Sequence, residues 1–196
     1  MNILDKLSDN EKQKLKIKKL QKNEVLFHEN DRCRYIGIIE KGSVKIVSYL
    51  DNGQEIVYNI LKKDGIFGNN LIFSSKPAYK GDVIALEESL IVLLDKENLL
   101  SMLAKNQDFL EEYLRISSDF SKTLNDKIKL ISIASAQDRF IYYMHMHKNV
   151  ITYLSVSELA KEMQLQRETL SRTLSKLEKE KVIVRNKNVI KLKAGI

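Results

Sequence analysis

The stretch LQRETLSRTLSKLEKEKVIVR, residues 165–185, holds the pattern on which the reading of this chain turns. On a helix of about 100° per residue, Leu170, Leu174 and Leu177 fall at i, i+4 and i+7 and form one stripe to bury. Glu168, Ser171, Arg172, Ser175 and Lys179 lie on the opposite side, with Arg167 at the flank of the first turn. An ordinary solvated helix mixes Glu and Lys pairs along its outer face. Here that mixture occurs only toward the end, in KLEKEK. The first two turns carry Arg, Glu, Thr, Ser and Arg instead, side chains that reach base edges and phosphates.

The neighbouring residues set this helix in a small domain, residues 136–196. AQDRFIYYMHMH reads as an amphipathic helix and VSELAKEM as a second, with Ser155 and Glu158 spaced as a capping box before it. Beyond the opening helix, VIVRNKNVIKL gives two short β runs around Asn186-Lys187-Asn188, a tight-turn composition. Helix, helix, short turn, helix and β-hairpin is the order of a winged helix-turn-helix.

Residues 24–95 read as strands and turns. EVLFHEN, YIGIIEKGSVKIVSYL and QEIVYNIL are rich in Val, Ile and Tyr, and Lys41-Gly42, Asp51-Asn52-Gly53 and Lys63-Asp64-Gly65 punctuate them. Short strands at this spacing predict an all-β barrel or jelly roll. From about 96 to 131 the pattern turns helical. Leu110, Leu114, Ser117, Ser121, Leu124, Ile128 and Ile131 follow alternating steps of four and three, a mostly apolar heptad seam that suits a partner helix. The alternative is a helix packed on its own β domain, but the helix extends well past a small barrel, which favours a homodimer. The predicted architecture is α+β: residues 1–135 form a double-stranded β-roll with a dimerisation helix at about 96–135, and residues 136–196 form the winged helix.

Charge and composition bound the function. The chain of 196 residues has a formal net charge of +7. Residues 136–196 hold 12 Lys+Arg and 6 Asp+Glu, whereas residues 1–135 hold 21 and 20. The basic excess sits in the last third, where it favours a polyanionic partner. Cys33 is the one cysteine, so an internal disulfide is excluded. No apolar run approaches the roughly 18–20 residues that cross a bilayer. The start, MNILDKLSDNEKQKLKIKKL, lacks the apolar segment of a signal peptide. The expectation is a cytoplasmic protein with no membrane partner. Catalysis is not expected: the β region has one histidine, His28, and neither a nucleophile motif nor a phosphate-binding glycine loop is present.

LSVSELAKEMQLQRETLSRTLSKLEKEKVIVRNKNVIKL resembles the DNA-binding domain of the CRP/FNR family of bacterial transcription regulators. EVLFHENDRCRYIGIIEKGSVKI resembles the family's first β-roll strands, and DGIFGNNLIF its later Phe-Gly segment. The similarity runs through nearly the whole chain in the family's order. It implies double-stranded DNA as partner, a homodimer, contact with RNA polymerase through surface loops, and a small-molecule effector of unknown identity. It also implies that Gln166, Arg167, Glu168, Ser171, Arg172 and Ser175 face the major groove. Glu168 would accept from a cytosine amino group and Arg172 would contact a guanine or a phosphate, which points to a palindrome with TGA-containing half-sites.

The chain departs from the family at the turn, where Gln164 stands for the usual Gly and Gln166 for the usual Ser cap. In the β-roll, Asn30 takes a usual Gly position, and Asn is the side chain best suited to left-handed φ. Phe67, Gly68, Asn69, Asn70, Tyr79 and Lys80 are the resemblance's effector-pocket residues. Relatives that bind cyclic AMP keep Gly-Glu followed by Arg-Ser or Arg-Thr. Asn69 stands at the Glu, and an ungapped match puts Tyr79 at the Arg, with Lys80 beside it. A buried phosphodiester needs a fixed cation with oriented donors, so cyclic AMP is not the expected ligand. One cysteine is too few for an iron–sulfur cluster. His28, Cys33, His145 and His147 are conceivable haem ligands, but surface or core roles are the plainer reading, and no metal or cofactor is expected. Cys33, between Arg32 and Arg34, is expected to be inert, because alternate side chains on a strand point away from it. A sensing module whose DNA binding is secondary stands as the other reading.

Overall fold

Runs of Val, Ile and Tyr between turn residues fold into two four-stranded antiparallel sheets in the N-terminal half. The computed structural model describes residues 3–193, and the chain divides into two units, Met1–Asp119 and Phe120–Ile196. The strands of the first unit are β1 (Lys16–Leu20), β2 (Val25–Phe27), β3 (Tyr35–Lys41), β4 (Ser43–Tyr49), β5 (Glu55–Lys62), β6 (Ile66–Phe67), β7 (Asp82–Ala85) and β8 (Ser89–Asp95). One sheet has the order β1-β8-β3-β6 and the other β2-β7-β4-β5. Ile36, Ile38, Ile91 and Leu94 of the first share a buried core with Val44, Val83 and Ala85 of the second, as a jelly roll requires. Burying this apolar surface is the main force holding the roll closed.

The turns form where the sequence punctuates. Gly42 (φ 84°) joins β3 to β4, and Gly53 (φ 78°) closes the β4–β5 hairpin. At the third turn the left-handed residue is Asp64 (φ 67°), and Asn30 adopts the same φ of 67° that its position demands. β1 was not expected from pattern, because KIKKL carries lysines through the strand. It lies at a sheet edge paired with β8, where exposed lysines discourage pairing with another chain.

The helical region from about 96 is two helices, a correction to the single stretch expected. A one-turn α1 (Asp9–Lys12) precedes the roll, and α2 (Lys96–Lys105) follows β8. Asn106 then leaves the helical region (φ −124°, ψ 98°), and its Oδ1 accepts the Phe109 N–H at 3.0 Å. This cap starts a new helix, α3 (Gln107–Ser132). Phe109 and Tyr113 of α3 are buried in the roll core. Of the heptad seam, Leu110 and Ser117 are half-buried and Ser121 is exposed, while Leu114, Leu124, Ile128 and Ile131 are exposed large apolar side chains.

The second unit holds α4 (Ala136–Met146), β9 (Val150–Thr152), α5 (Val156–Glu162), α6 (Arg167–Lys179), β10 (Ile183–Asn186) and β11 (Val189–Leu192). Its three-stranded sheet has the order β10-β11-β9, so the expected hairpin gains a strand that was not anticipated. Ser155 accepts the Glu158 N–H at 3.1 Å. The return bond of the expected capping box is absent among the described residues. Phe140, Met144, Met163, Leu170, Leu174, Leu177 and Ile190 form the core, all with no measurable exposure.

Candidate nucleic-acid interface and sensor pocket

Helix α6 is fixed from beneath by its leucines. Leu170, Leu174 and Leu177 are fully buried, so the opposite side of α6 has to face outward. Gln166, Arg167, Glu168, Ser171, Arg172 and Ser175 are all exposed there. The Arg167 guanidinium lies 3.7 Å from the Glu168 carboxylate, and Arg172 Nε–H reaches back to the Glu168 carbonyl at 3.4 Å. These contacts are long and solvent-exposed, so a duplex can displace them at little cost. Toward the other end, Lys176 Nζ donates to Gln137 Oε1 at 2.9 Å, and Arg185 pairs with Glu178 at 3.7 Å. The outer faces of the two halves of α6 therefore differ: among the described residues Arg167, Glu168 and Arg172 have polar side-chain contacts only within the helix, whereas the second half is tied to α4 and β10.

The turn before α6 keeps the shape that glycine would give it. Gln164 takes the left-handed conformation (φ 50°), and the Leu165 N–H donates to the Ala160 carbonyl at 2.8 Å. Gln166 occupies the N-cap with extended backbone and no side-chain cap bond, as expected for a residue lacking a short oxygen-bearing side chain. At the hairpin tip Lys187 is also left-handed (φ 49°) and exposed. Lys187 and Asn188 present a second exposed polar tip on this unit, which the sequence reading treated only as a turn.

In the β-roll, the effector candidates separate. Phe67, Asn69 and Tyr79 are buried, while Asn70 and Lys80 are exposed. Lys80 does not join Asn69, because Tyr79 takes the inward position. Its hydroxyl donates to the Tyr35 carbonyl at 2.8 Å, and its ring stacks on Phe27 with centroids 4.4 Å apart. Burial first, and Cys33 second, raise the Tyr79 hydroxyl well above the ordinary tyrosine range. Gly68 (φ 79°) sits so near the Tyr35 carbonyl that a Cβ there would come within 2.8 Å of it. The Phe67 ring covers Gly37, where a Cβ would meet ring carbon at 2.0 Å.

Asn69 carries two further features. Its carbonyl accepts the Tyr113 hydroxyl at 2.8 Å, and its Nδ2 is the one buried side-chain nitrogen or oxygen without a partner among the described residues. Cys33 is buried, with its Sγ 3.6 Å from the Tyr35 carbonyl, while Arg32 and Arg34 are exposed. Burial raises the thiol pKa, which opposes thiolate formation. A cleft of about 570 Å³ opens beside it, lined by Lys16, Arg32, Arg34, Tyr35 and Asp95 among others, and by none of the six effector candidates. His28 lies 3.6 Å from Asp82, His145 Nδ1 meets Asn149, and His147 Nδ1 meets the Tyr143 carbonyl. The three histidines thus have separate surroundings.

Comparison with known proteins places both units. Residues 17–106 match the family described as "Cyclic nucleotide-binding domain", and residues 136–194 match "Crp-like helix-turn-helix domain". The "Anaerobic regulatory protein" of Bacillus subtilis (strain 168) is 22% identical over 177 residues, covering 85% of this chain and 74% of that one. Among solved structures, CprK complexed with OCPA superposes with a TM-score of 0.76 at 15% identity, covering 98% of this chain and 89% of that one. A CooA mutant from Carboxydothermus hydrogenoformans gives a TM-score of 0.70 at 18% identity, covering 98% and 91%. At these identities the structural likeness speaks to fold.

Proposed function

The chain belongs to the CRP/FNR family of transcription regulators, a sensor domain joined to a DNA-binding helix-turn-helix, and we propose that it acts as a homodimer reading a palindrome with TGA-containing half-sites. The observation that carries this reading is the division of α6. An apolar stripe with no exposure anchors a first half whose Arg167, Glu168, Ser171 and Arg172 are exposed and only weakly paired. Carboxylate to cytosine and guanidinium to guanine are the pairings those side chains offer. Lysines at the wing tip and along the unit add phosphate contacts, which carry affinity without sequence.

Dimerisation through α3 rests on its exposed apolar seam, since Leu114, Leu124, Ile128 and Ile131 are costly to leave in water. Two-fold symmetry then maps onto two half-sites in successive major grooves. A signal in the β-roll acts by shifting the population of α3 arrangements, and so the spacing of the two α6 helices. Cyclic AMP is not that signal in this reading, because the buried Tyr79 offers no cation to a phosphodiester. An iron–sulfur cluster is not either, because the chain has one cysteine. Among the described residues no helix is long and apolar enough to cross a membrane. The reading places the protein in the cytoplasm with RNA polymerase as its further partner.

Selection of bound duplexes from a random pool tests this reading. Enrichment of a symmetric site with fixed half-site spacing is the expected result. Recovery of unsymmetric sequences, or none, would remove the dimer and palindrome together.

A further inference from the structure

Arg139, in the first turn of α4, has every side-chain N–H group committed to a backbone carbonyl. Nε donates to Ile133 at 2.8 Å, and Nη2 donates to Ile133 at 2.6 Å and Ile131 at 3.1 Å. Nη1 donates to Met163 at 3.3 Å and Gln164 at 3.1 Å. A guanidinium has five N–H donors, so none is left for a phosphate or a carboxylate. Among the described residues Arg139 has no ion pair.

The four acceptors lie at two helix ends. Ile131 and Ile133 flank the last residue of α3, and Met163 and Gln164 follow the last residue of α5. Helix C-termini leave carbonyls without intrahelical partners and carry partial negative charge. One half-buried cation thus answers two such ends at once, without a carboxylate. Gln164 is also the left-handed residue of the turn that delivers α6. Holding its carbonyl keeps a non-glycine residue in a conformation that L side chains rarely adopt.

We propose that Arg139 is a positioning residue for DNA reading: it locks the C-terminal end of α3 to the α5–α6 turn and so fixes the angle at which each reading helix leaves the dimer helix. This rests on the dimeric, palindrome-reading function proposed above. Lys176 bonded to Gln137, and Lys129 lying 4.9 Å above the Tyr142 ring, add weaker ties between the same elements. Neither reaches the turn itself.

The test uses the full chain with Arg139→Gln and Arg139→Lys, the selected palindrome, the same half-sites with one base pair added to or removed from the spacer, and a scrambled duplex. Wild type is expected to lose at least about tenfold in affinity when the spacer changes. Arg139→Gln is expected to bind the selected palindrome at least about tenfold more weakly while its spacer penalty largely disappears, its affinity for the scrambled duplex and its salt slope staying as in wild type. Lys is not expected to rescue, because three donors on one nitrogen cannot span four carbonyls. Variants that keep the wild-type spacer penalty sink the proposal alone. A wild type indifferent to the spacer sinks the palindrome reading and the proposal with it. Loss of helical circular dichroism in both variants makes Arg139 a folding residue and likewise overturns the proposal.

Discussion

The Tyr113 hydroxyl donates to the backbone carbonyl of Asn69 at 2.8 Å, tying the first turns of α3 to the loop that follows β6. That loop carries Asn69 and Asn70, two of the effector-pocket candidates. The contact is a direct bond between the candidate effector loop and the helix proposed to carry the signal.

Tyr113→Phe removes that donor and leaves a buried carbonyl to find another. The loss should cost about 1–3 kcal/mol of stability, read as a lower urea midpoint with an unchanged slope. An unchanged midpoint would show that the bond contributes nothing.

Alkali gives a second reading of the same side chain. Burial, then the nearby Cys33, push the Tyr113 hydroxyl from 10.0 up to about 12. The folded state therefore holds the proton more tightly than the unfolded chain. The stability this supplies is complete below about pH 10 and is lost as pH rises toward about 12. Spectrophotometric titration should show Tyr113→Phe missing one late-ionising tyrosine. A Tyr113→Phe chain that titrates like wild type contradicts the assignment.

Glu168→Ala should lower discrimination at one half-site position by about 1–3 kcal/mol while overall affinity changes less. Competition binding against single-base variants of the selected site measures this. Undiminished preference at every position would place the base contact elsewhere.

Ile128→Glu puts a charge in the C-terminal part of the exposed seam of α3 and should leave a folded monomer by sedimentation equilibrium. A variant that stays dimeric, or a wild type that is already monomeric, removes α3 as the interface.

Gln166→Ser supplies the oxygen that the α6 N-cap lacks and should raise stability by about 0.5–2 kcal/mol. Thermal unfolding checks it, and a destabilised variant would mean Gln166 makes a contact that the backbone geometry hides.

How much of this was legible in the sequence depended on distance along the chain. The leucine stripe of α6, the Gly53 hairpin and the left-handed Asn30 are local, and each shows in a few adjacent letters. The division at Asn106 was missed because apolar periodicity continues on both sides of it, and only the backbone reveals the cap. β1 was missed because an edge strand needs no apolar alternation. Tyr113 and Arg139 were missed for another reason. Their acceptors lie up to 44 and 25 residues away, and nothing local marks an aromatic or a cation that bonds to backbone carbonyls. Which of the effector candidates Tyr79 and Lys80 turns inward was not legible, because it goes with the pairing of the neighbouring Ala78 to the distant Arg32.

The inward turn of Tyr79 also sets what it would take to redesign this pocket. A single Tyr79→Arg exchange would leave a guanidinium against the Phe27 ring, where the tyrosine now stacks, and Asn69 would still stand where relatives that bind cyclic AMP keep Glu. Turning this pocket toward a cyclic nucleotide therefore takes exchanges at both positions, made together with a repacking around the Phe27 ring.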